Sequence, residues 1–397
     1  MVSAGVAAEG PADAPLLLVA ARSARGLVAA AGRAGFAALA VDLFGDDDTV
    51  AMAAASRRIG GLTVRGVTRA FEALLAAREG DVAGLVLGSG FEHRPGVVAA
   101  LSARFGLLGN AAEVVARAKH PFAFAALCRD AGVPHPQVRR AGHGLLGGDG
   151  LEDGAGWLLK RRGASGGAHV RAAPGVAPSP GWYAQRRVLG RAVSACFVAD
   201  GTHAVVLGFS AQWSDSAAGA AFRYGGAVRP AGARFEAEMA GAVGRLTRAL
   251  GLVGLNSADF LVGKEEFHVI EINPRPGASL DVFADALPMR LHVEACRGRL
   301  LGAAPILHGA QAAALAYAGC DGVLARGFAW PDWAADRQRA GRVREGMPFC
   351  TATAGAARPE AARRLARARA AALLGRAGLF PRRPGPGTIP SGKAHAA

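Results

Sequence analysis

Cysteine is scarce and scattered in this chain of 397 residues. There are five, Cys128, Cys196, Cys296, Cys320 and Cys350, an odd number with no Cys-x-x-Cys pair. Neither a disulfide framework nor a cysteine zinc site is indicated, and most of the five read as small buried apolar residues. Long apolar runs are missing as well. The first apolar stretch, Leu16 to Ala21, falls far short of the roughly 20 residues a membrane helix needs. No Lys or Arg precedes it, so the basic start of a signal peptide is absent. The expectation is a buried strand in a cytoplasmic protein without membrane partners. No internal repeat, no biotin-carrier lysine motif and no persuasive nucleophile–base triad is present.

Acids are outnumbered, 31 Asp and Glu against 46 Lys and Arg, for a net charge of +15. A surplus of that size invites a nucleic-acid reading. Its distribution argues otherwise. Residues 331–397 hold 13 Lys/Arg and 4 Asp/Glu, a surplus of nine, much of it in Ala361–Arg369, which reads as a helix with a solvated basic face. No aromatic residues interleave with those arginines, so no base-stacking platform is expected. Weak attraction to anions remains, and a nucleotide-dependent scaffold using this basic region is the rival function class.

Hydrophobic residues make up 51% and charged residues 19%, the balance of a globular chain long enough for two or three domains. Residues 16–105 alternate strands and helices: strands at 16–20, 36–41 and 82–87, a helix at 24–34. That order implies a parallel sheet with helices on its faces, an α/β arrangement. Gly88–Ser89–Gly90 after the third strand reads as a plain turn, or as a close approach to a ligand. Residues 111–131 read as one helix carrying Lys119 and Phe122, and 138–230 as strand-rich. Helices are expected at 235–251, capped by Gly251, at about 283–298 and at about 358–374. The tail from Pro381 should be disordered.

Two stretches carry chemistry. From Trp157, a strand ends in Lys160 and a glycine-rich loop follows, with Gly163, Gly166 and Gly167. Such loops turn backbone N–H groups onto phosphate oxygens, and Lys160 adds a point charge. The same loop spells Gly-x-Ser-x-Gly around Ser165, the nucleophile elbow of hydrolases. That motif needs a following helix, which the proline-ended Ala168–Pro174 is too short to supply. The second stretch runs from Asn256 to Ser279 and reads as a hairpin turning at Gly263–Lys264–Glu265. Strand alternation puts Val269, Glu271 and Asn273 on one face and His268, Ile270 and Ile272 on the other. Asp259 can meet Glu271 and Asn273 across the hairpin, with Arg275 just beyond. Two carboxylates and an amide oxygen suit Mg2+ carrying phosphates. A surface hairpin of solvated charges is the plain alternative, but these acids sit among apolar strand residues, and buried carboxylates need a partner.

This hairpin resembles the metal-binding core of the ATP-grasp superfamily, whose last motif is an acid followed by Glu-x-Asn-x-Arg. The strand lysine and glycine flap resemble the same family. The resemblance implies further assignments. Lys119 stands at the family's first nucleotide-binding lysine. Gln185, with Arg186, Arg187 and Val188, stands at the hinge whose backbone reads adenine, followed by Gly190 and Ser194. Arg186 departs from the acidic residue common there, which puts the hold on the ribose in doubt. Gln212, Arg223 and Tyr224 stand in the wall of the acceptor pocket, with Trp213 beside them. The fold implied is an α/β pre-ATP-grasp domain (1–105), an ATP-grasp domain (106–300), a C-terminal α/β extension (301–380) and a tail (381–397). The C-terminal segment is similar to carboligases related to biotin carboxylase, and through them to ligases of the tyramine–glutamate type that build methanofuran-like one-carbon carriers. The implied activity is an ATP-dependent carboxylate–amine ligase. Mg2+, or alternatively Mn2+, would be held by Asp259, Glu271 and Asn273, with Lys119 and Lys160 on the triphosphate and Arg275 on the charged intermediate. The partners implied are a small carboxylate and a small amine, with a homodimer as the usual assembly.

Overall fold

The computed structural model describes residues 14–141, 156–172, 180–216 and 220–380. The tail from Pro381 and the first thirteen residues, expected to be disordered and loose, lie outside the described residues.

The first sheet is parallel, in the order β3-β2-β1-β4. Its strands are β1 (Leu16–Ala20), β2 (Ala37–Asp42), β3 (Ala55–Arg58) and β4 (Val82–Leu87). All five residues of β1 are buried because both faces are covered, as a parallel sheet requires. Leu17 and Val19 enter one core together with α1 (Arg25–Arg33). Leu16, Leu18 and Ala20 enter the other, under α3 (Val64–Leu75) and α4 (Pro95–Phe105). The short α2 (Asp47–Met52) lies between β2 and β3.

The single helix expected over 111–131 is two helices, α5 (Ala112–Lys119) and α6 (Pro121–Asp130). Pro121 causes the break. A residue before proline is pushed out of the helical region, and His120 sits at φ −87, ψ 112. Its Nδ1 then accepts from Ala123 N–H and caps the second helix. Lys119 thus ends a helix instead of sitting within one. The helix expected at 283–298 is shorter, α8 (Pro288–Cys296), preceded by 3-10 turns at Ala278–Asp281 and Ala284–Ala286.

A small antiparallel sheet follows in the order β5-β8-β6-β7, from β5 (Val138–Arg140), β6 (Trp157–Arg161), β7 (Arg171–Ala172) and β8 (Trp182–Arg186). Leu158 pairs with Gln185 and Lys160 with Tyr183, so these four share one face. Trp157, Leu159 and Ala184 form a minor core on the other.

The large sheet has eight strands in the order β13-β12-β9-β10-β11-β14-β18-β16. They are β9 (Arg191–Asp200), β10 (Ala204–Ser214), β11 (Tyr224–Arg229), β12 (Val253–Val262), β13 (Phe267–Asn273), β14 (Ala310–Tyr317), β16 (Ala334–Ala335) and β18 (Pro348–Ala356); β15 (Gly322–Leu324) and β17 (Gly341–Val343) pair separately. Helix α7 (Glu236–Leu250) covers one face and ends, as expected, at Gly251 in the left-handed region. Helix α9 (Pro359–Arg376) lays Ala362, Ala366, Ala370 and Leu373 against the alanine-rich β14 and β18. Small residues on both sides let helix and sheet approach closely.

The basic face of α9 is not simply solvated. Arg363 lies 4.8 Å over the Trp213 ring, Arg369 4.9 Å over Trp333 and Arg376 5.2 Å over Phe328. Arg369 also donates to Thr353 O, and Arg376 to Ala329 O. The aromatic partners come from distant segments, which is why neighbouring sequence did not show them. Arg364 and Arg367 remain exposed.

Candidate active site

The hairpin β12–β13 turns through Gly263–Glu266, closed by Gly263 N–H donating to Glu266 O at 2.8 Å. Asp259 pairs with Glu271 and Ser257 with Asn273, so the three predicted ligands share a face. Val269 does not. The register shifts after Asp259, Phe260 pairs with Val269, and Ile270 is the extra residue of a β-bulge. Val269 therefore joins Ile272 and Phe260 in the core, and Ile270 lines the cleft beside Glu271. Bulges re-aim side chains next to functional sites, and this one corrects the simple alternation.

The face is tied together by Lys119 at the end of α5. Its Nζ donates to Asn273 Oδ1 at 2.7 Å and to Glu271 Oε2 at 3.2 Å. Asn273 Nδ2 donates to Asp259 Oδ2 at 3.1 Å, and Gln212 Nε2 to Asp259 Oδ1 at 3.4 Å. The Lys119 side chain is 6% exposed, while a third of Glu271 faces the cleft. Burial raises the Asp259 carboxyl, and the Glu271 charge adds to that. At Glu271 burial acts in the same sense, but Lys119 and Lys160 outweigh it and hold the carboxyl well below its usual range.

Lys160 faces this cluster from the small sheet. It is 8% exposed and, among the described residues, its side chain has one hydrogen bond, to the neutral Gln185 Oε1 at 3.0 Å. Burial lowers its pKa. An ammonium carries three donors, so a buried lysine with one neutral partner is short of an anion.

The glycine loop after Lys160 lies over the cleft. At Gly163 (φ +64) a Cβ would stand within 2.4 Å of the His93 side chain. At Gly167 (φ +74) it would stand 1.9 Å from Phe222 O. Gly166 O accepts from Tyr224 N–H at 3.0 Å. No side chain larger than hydrogen allows either approach. The chain then turns and enters β7 with no helix after Ser165, so a nucleophile elbow is not built.

The cleft between the two sheets is open to solvent and is lined by Lys119, Phe124, His135, Val138, Arg161, Gly163, His169, Tyr183, Gln185, Ile270 and Glu271. His135, His169 and Tyr183 escaped sequence reasoning. Period-two spacing from Gln185 could have found Tyr183; the histidines carry no local signal. Burial and the Lys160 charge lower His135 to about 4.

The hinge residues divide. Gln185 faces the cleft, whereas Arg186 lies on the far face of the small sheet, 5.8 Å over the Trp157 ring. Alternation along β8 puts it there, so its guanidinium takes no part in the cleft. The N–H groups of Arg186 and Arg187 are taken by Gln137 O and Gly156 O. Val188, half-buried, follows them.

Of the expected acceptor-wall residues, Arg223 is held by its neighbours and Tyr224 is tied through its main chain. Arg223 donates to Asp215 Oδ2 at 2.7 Å and lies 3.7 Å over the Tyr317 ring. Tyr224 O accepts from Tyr317 Oη at 2.8 Å. Gln212 joins the carboxylate cluster instead of a separate wall.

Arg275 sits beside the cluster and pairs with Glu92. Its Nε donates to Glu92 Oε1 at 2.8 Å, and Glu92 Oε2 accepts from Gly90 N–H at 2.6 Å. Glu92 is 4% exposed, and against the cost of burial the Arg275 and Lys119 charges hold its carboxyl low. The Gly88–Ser89–Gly90 turn thus presents Glu92. No sequence signal marked that residue.

The donor set fits a hard divalent cation. Asp259 and Glu271 balance Lys119 and Lys160, so a triphosphate entering the cleft would meet two carboxylates at close range. A divalent ion between carboxylates and phosphates removes that repulsion. Among the described residues no group of three His, Cys, Asp or Glu side chains could hold a metal without a ligand's help.

Residues 127–279 match the ATP-grasp domain family. Lys119 lies outside that span. Among curated proteins none matches the sequence. Solved structures do. Pyruvate carboxylase of Rhizobium etli is 17% identical at a TM-score of 0.66, over 88% of this chain and 38% of that one, so this chain spans well under half its length. The biotin carboxylase domain dimer of Hydrogenobacter thermophilus 2-oxoglutarate carboxylase, solved with MgADP and bicarbonate, is 13% identical at 0.62, over 86% of each chain. N5-carboxyaminoimidazole ribonucleotide synthetase of Thermotoga maritima is 14% identical at 0.63, over 90% of this chain and 98% of that one. At these identities the likeness is one of fold. No described helix is long and apolar enough to cross a membrane.

Proposed function

We propose, from the match of residues 127–279 to the ATP-grasp domain family, that the chain is an ATP-dependent ligase joining a carboxylate to an amine. The observation that carries the reading is the convergence of Lys119, Asp259, Glu271 and Asn273 in one hydrogen-bonded cluster opposite the under-partnered Lys160.

In this reading Lys160 and the flap amides take the triphosphate. Lys119, freed from Glu271 and Asn273, takes phosphate. Asp259, Glu271 and Asn273 would hold Mg2+, which would supply neutralisation of the charge developing on the transferred phosphoryl group. The backbone around Val188 meets adenine, and Arg186 contributes main chain alone. The substrate carboxylate attacks the γ-phosphorus, forming a P–O bond as the β–γ bridge breaks, and ADP leaves. The amine then attacks the acyl carbon of the acyl phosphate. A C–N bond forms, phosphate leaves, and the amine proton goes to solvent. Arg275, kept beside the cluster by Glu92, stabilises the anionic centre through charge-assisted hydrogen bonds. The finer reading, a ligase for a methanofuran-like one-carbon carrier, is supported by the sequence resemblance of the C-terminal segment. The stacked arginines of α9 weigh against a nucleic-acid scaffold.

A panel of paired acids and amines, read by ADP release, tests this. Hydroxylamine should trap the acyl phosphate as a hydroxamate. ADP release that needs bicarbonate and no other acid would replace amide formation with carboxylation.

A further inference from the structure

His169 is a polar side chain in the cleft that the reaction above does not use. It follows the flap, whose two ends are pinned. Gly163 lies against His93, and Gly166 and Gly167 lie against β11 and Phe222. Val170 N–H donates back to Gly167 O at 3.1 Å, which closes a turn around His169. The imidazole is therefore held in place where it lines the cleft with Lys119, Arg161 and Glu271. Its Nδ1 is shut off from solvent and has no hydrogen-bond partner among the described residues. A buried polar atom left unpaired is costly, and such atoms in native proteins call for a missing partner.

We propose that His169 is a phosphate contact carried by the flap, its Nδ1–H donating to an oxygen of the nucleotide held between Lys119 and Lys160. The inference rests on the nucleotide reading above. The lysines supply charge from the two walls of the cleft, and His169 supplies a directed donor from the flap. Burial, helped by the Lys160 and Lys119 charges, lowers its pKa to about 4 against the pull of Glu271, so it donates as a neutral ring.

The test compares wild type, His169→Ala and His169→Asn for binding of adenosine, MgADP, a magnesium complex of a non-hydrolysable ATP analogue, and pyrophosphate. Asn is chosen because its amide nitrogen occupies the place of Nδ1. His169→Ala should weaken the phosphate-bearing ligands roughly tenfold to a hundredfold, the worth of one hydrogen bond to a charged group. Adenosine should bind unchanged, and Asn should recover most of the loss. Weakening of pyrophosphate alone assigns the contact to a free-anion site and overturns the nucleotide assignment. The unliganded Ala variant should melt no lower than wild type, since it loses an unpaired atom. Wild-type affinity in His169→Ala, or an equal loss for adenosine, overturns this inference and leaves the nucleotide cleft standing. A wild type that binds no nucleotide overturns both.

Discussion

Gly167→Ala would place a methyl group 1.9 Å from Phe222 O, on a backbone at φ +74. A contact there needs well over 3 Å, so the flap must retreat by more than 1 Å. The neighbouring bond from Tyr224 N–H to Gly166 O, 3.0 Å long, cannot survive that shift. Its loss costs about 1 kcal/mol net. Left-handed backbone costs an alanine about 1 to 2 kcal/mol more. Together, about 2 to 3 kcal/mol moves the flap from closed toward open. Apparent affinity falls with the closed fraction, so binding of a magnesium–ATP analogue should weaken roughly 30- to 150-fold by calorimetry. The flap is local, and the global melting temperature should move by no more than a degree or two. Affinity within threefold of wild type would show that flap closure against β11 is not part of nucleotide binding. A collapse of the melting temperature would show that the flap is part of the fold.

Lys160→Met removes a buried charge whose ammonium, among the described residues, donates only to Gln185. It should leave unliganded stability equal or higher by calorimetry while weakening the nucleotide about a hundredfold, the scale of a lost charge-assisted contact. Glu92→Gln leaves the half-buried Arg275 without its anion and should destabilise by about 1 to 3 kcal/mol at pH 7. The folded carboxyl pKa is depressed, so the wild-type advantage is full above the unfolded value near 4.5 and fades as pH falls through the lower folded one; an advantage unchanged in acid would contradict the pairing. Asp46→Asn concerns a carboxyl pushed up to about 8 by burial and by Asp336, Asp42 and Asp48. The folded state holds that proton more tightly than the unfolded chain, so wild-type stability falls as pH rises from about 4 to 8. The Asn variant should lack that slope in melts across the window, and parallel wild-type and variant curves would refute the shift.

What the sequence made legible was periodic or punctuated by glycine. Asp259, Glu271 and Asn273 share a face because strands alternate, and Gly163 and Gly167 stand where the backbone must turn against a neighbour. What it hid depended on distant parts of the chain. The bulge at Ile270 moved Val269 into the core. Pro121 split a helix that apolar spacing had run together, and the split sets Lys119 at a helix end facing β13. Arg186 fell on the wrong face, and Arg223 was taken by Asp215 and Tyr317. His135 and His169 come from separate segments that only folding brings to the cleft, as it brings Glu92 to Arg275. The alanine stripe of α9 was readable as a helix, but the rings beneath its arginines were not.

The most direct test of the central claim is calorimetric titration of a magnesium–ATP analogue into wild type and into the Glu271→Gln/Asn273→Ala double variant, each with and without EDTA. The cleft described here predicts saturable one-to-one binding to wild type that EDTA abolishes and the double variant lacks. Binding that ignores both EDTA and the double substitution, or no binding by wild type, would contradict it.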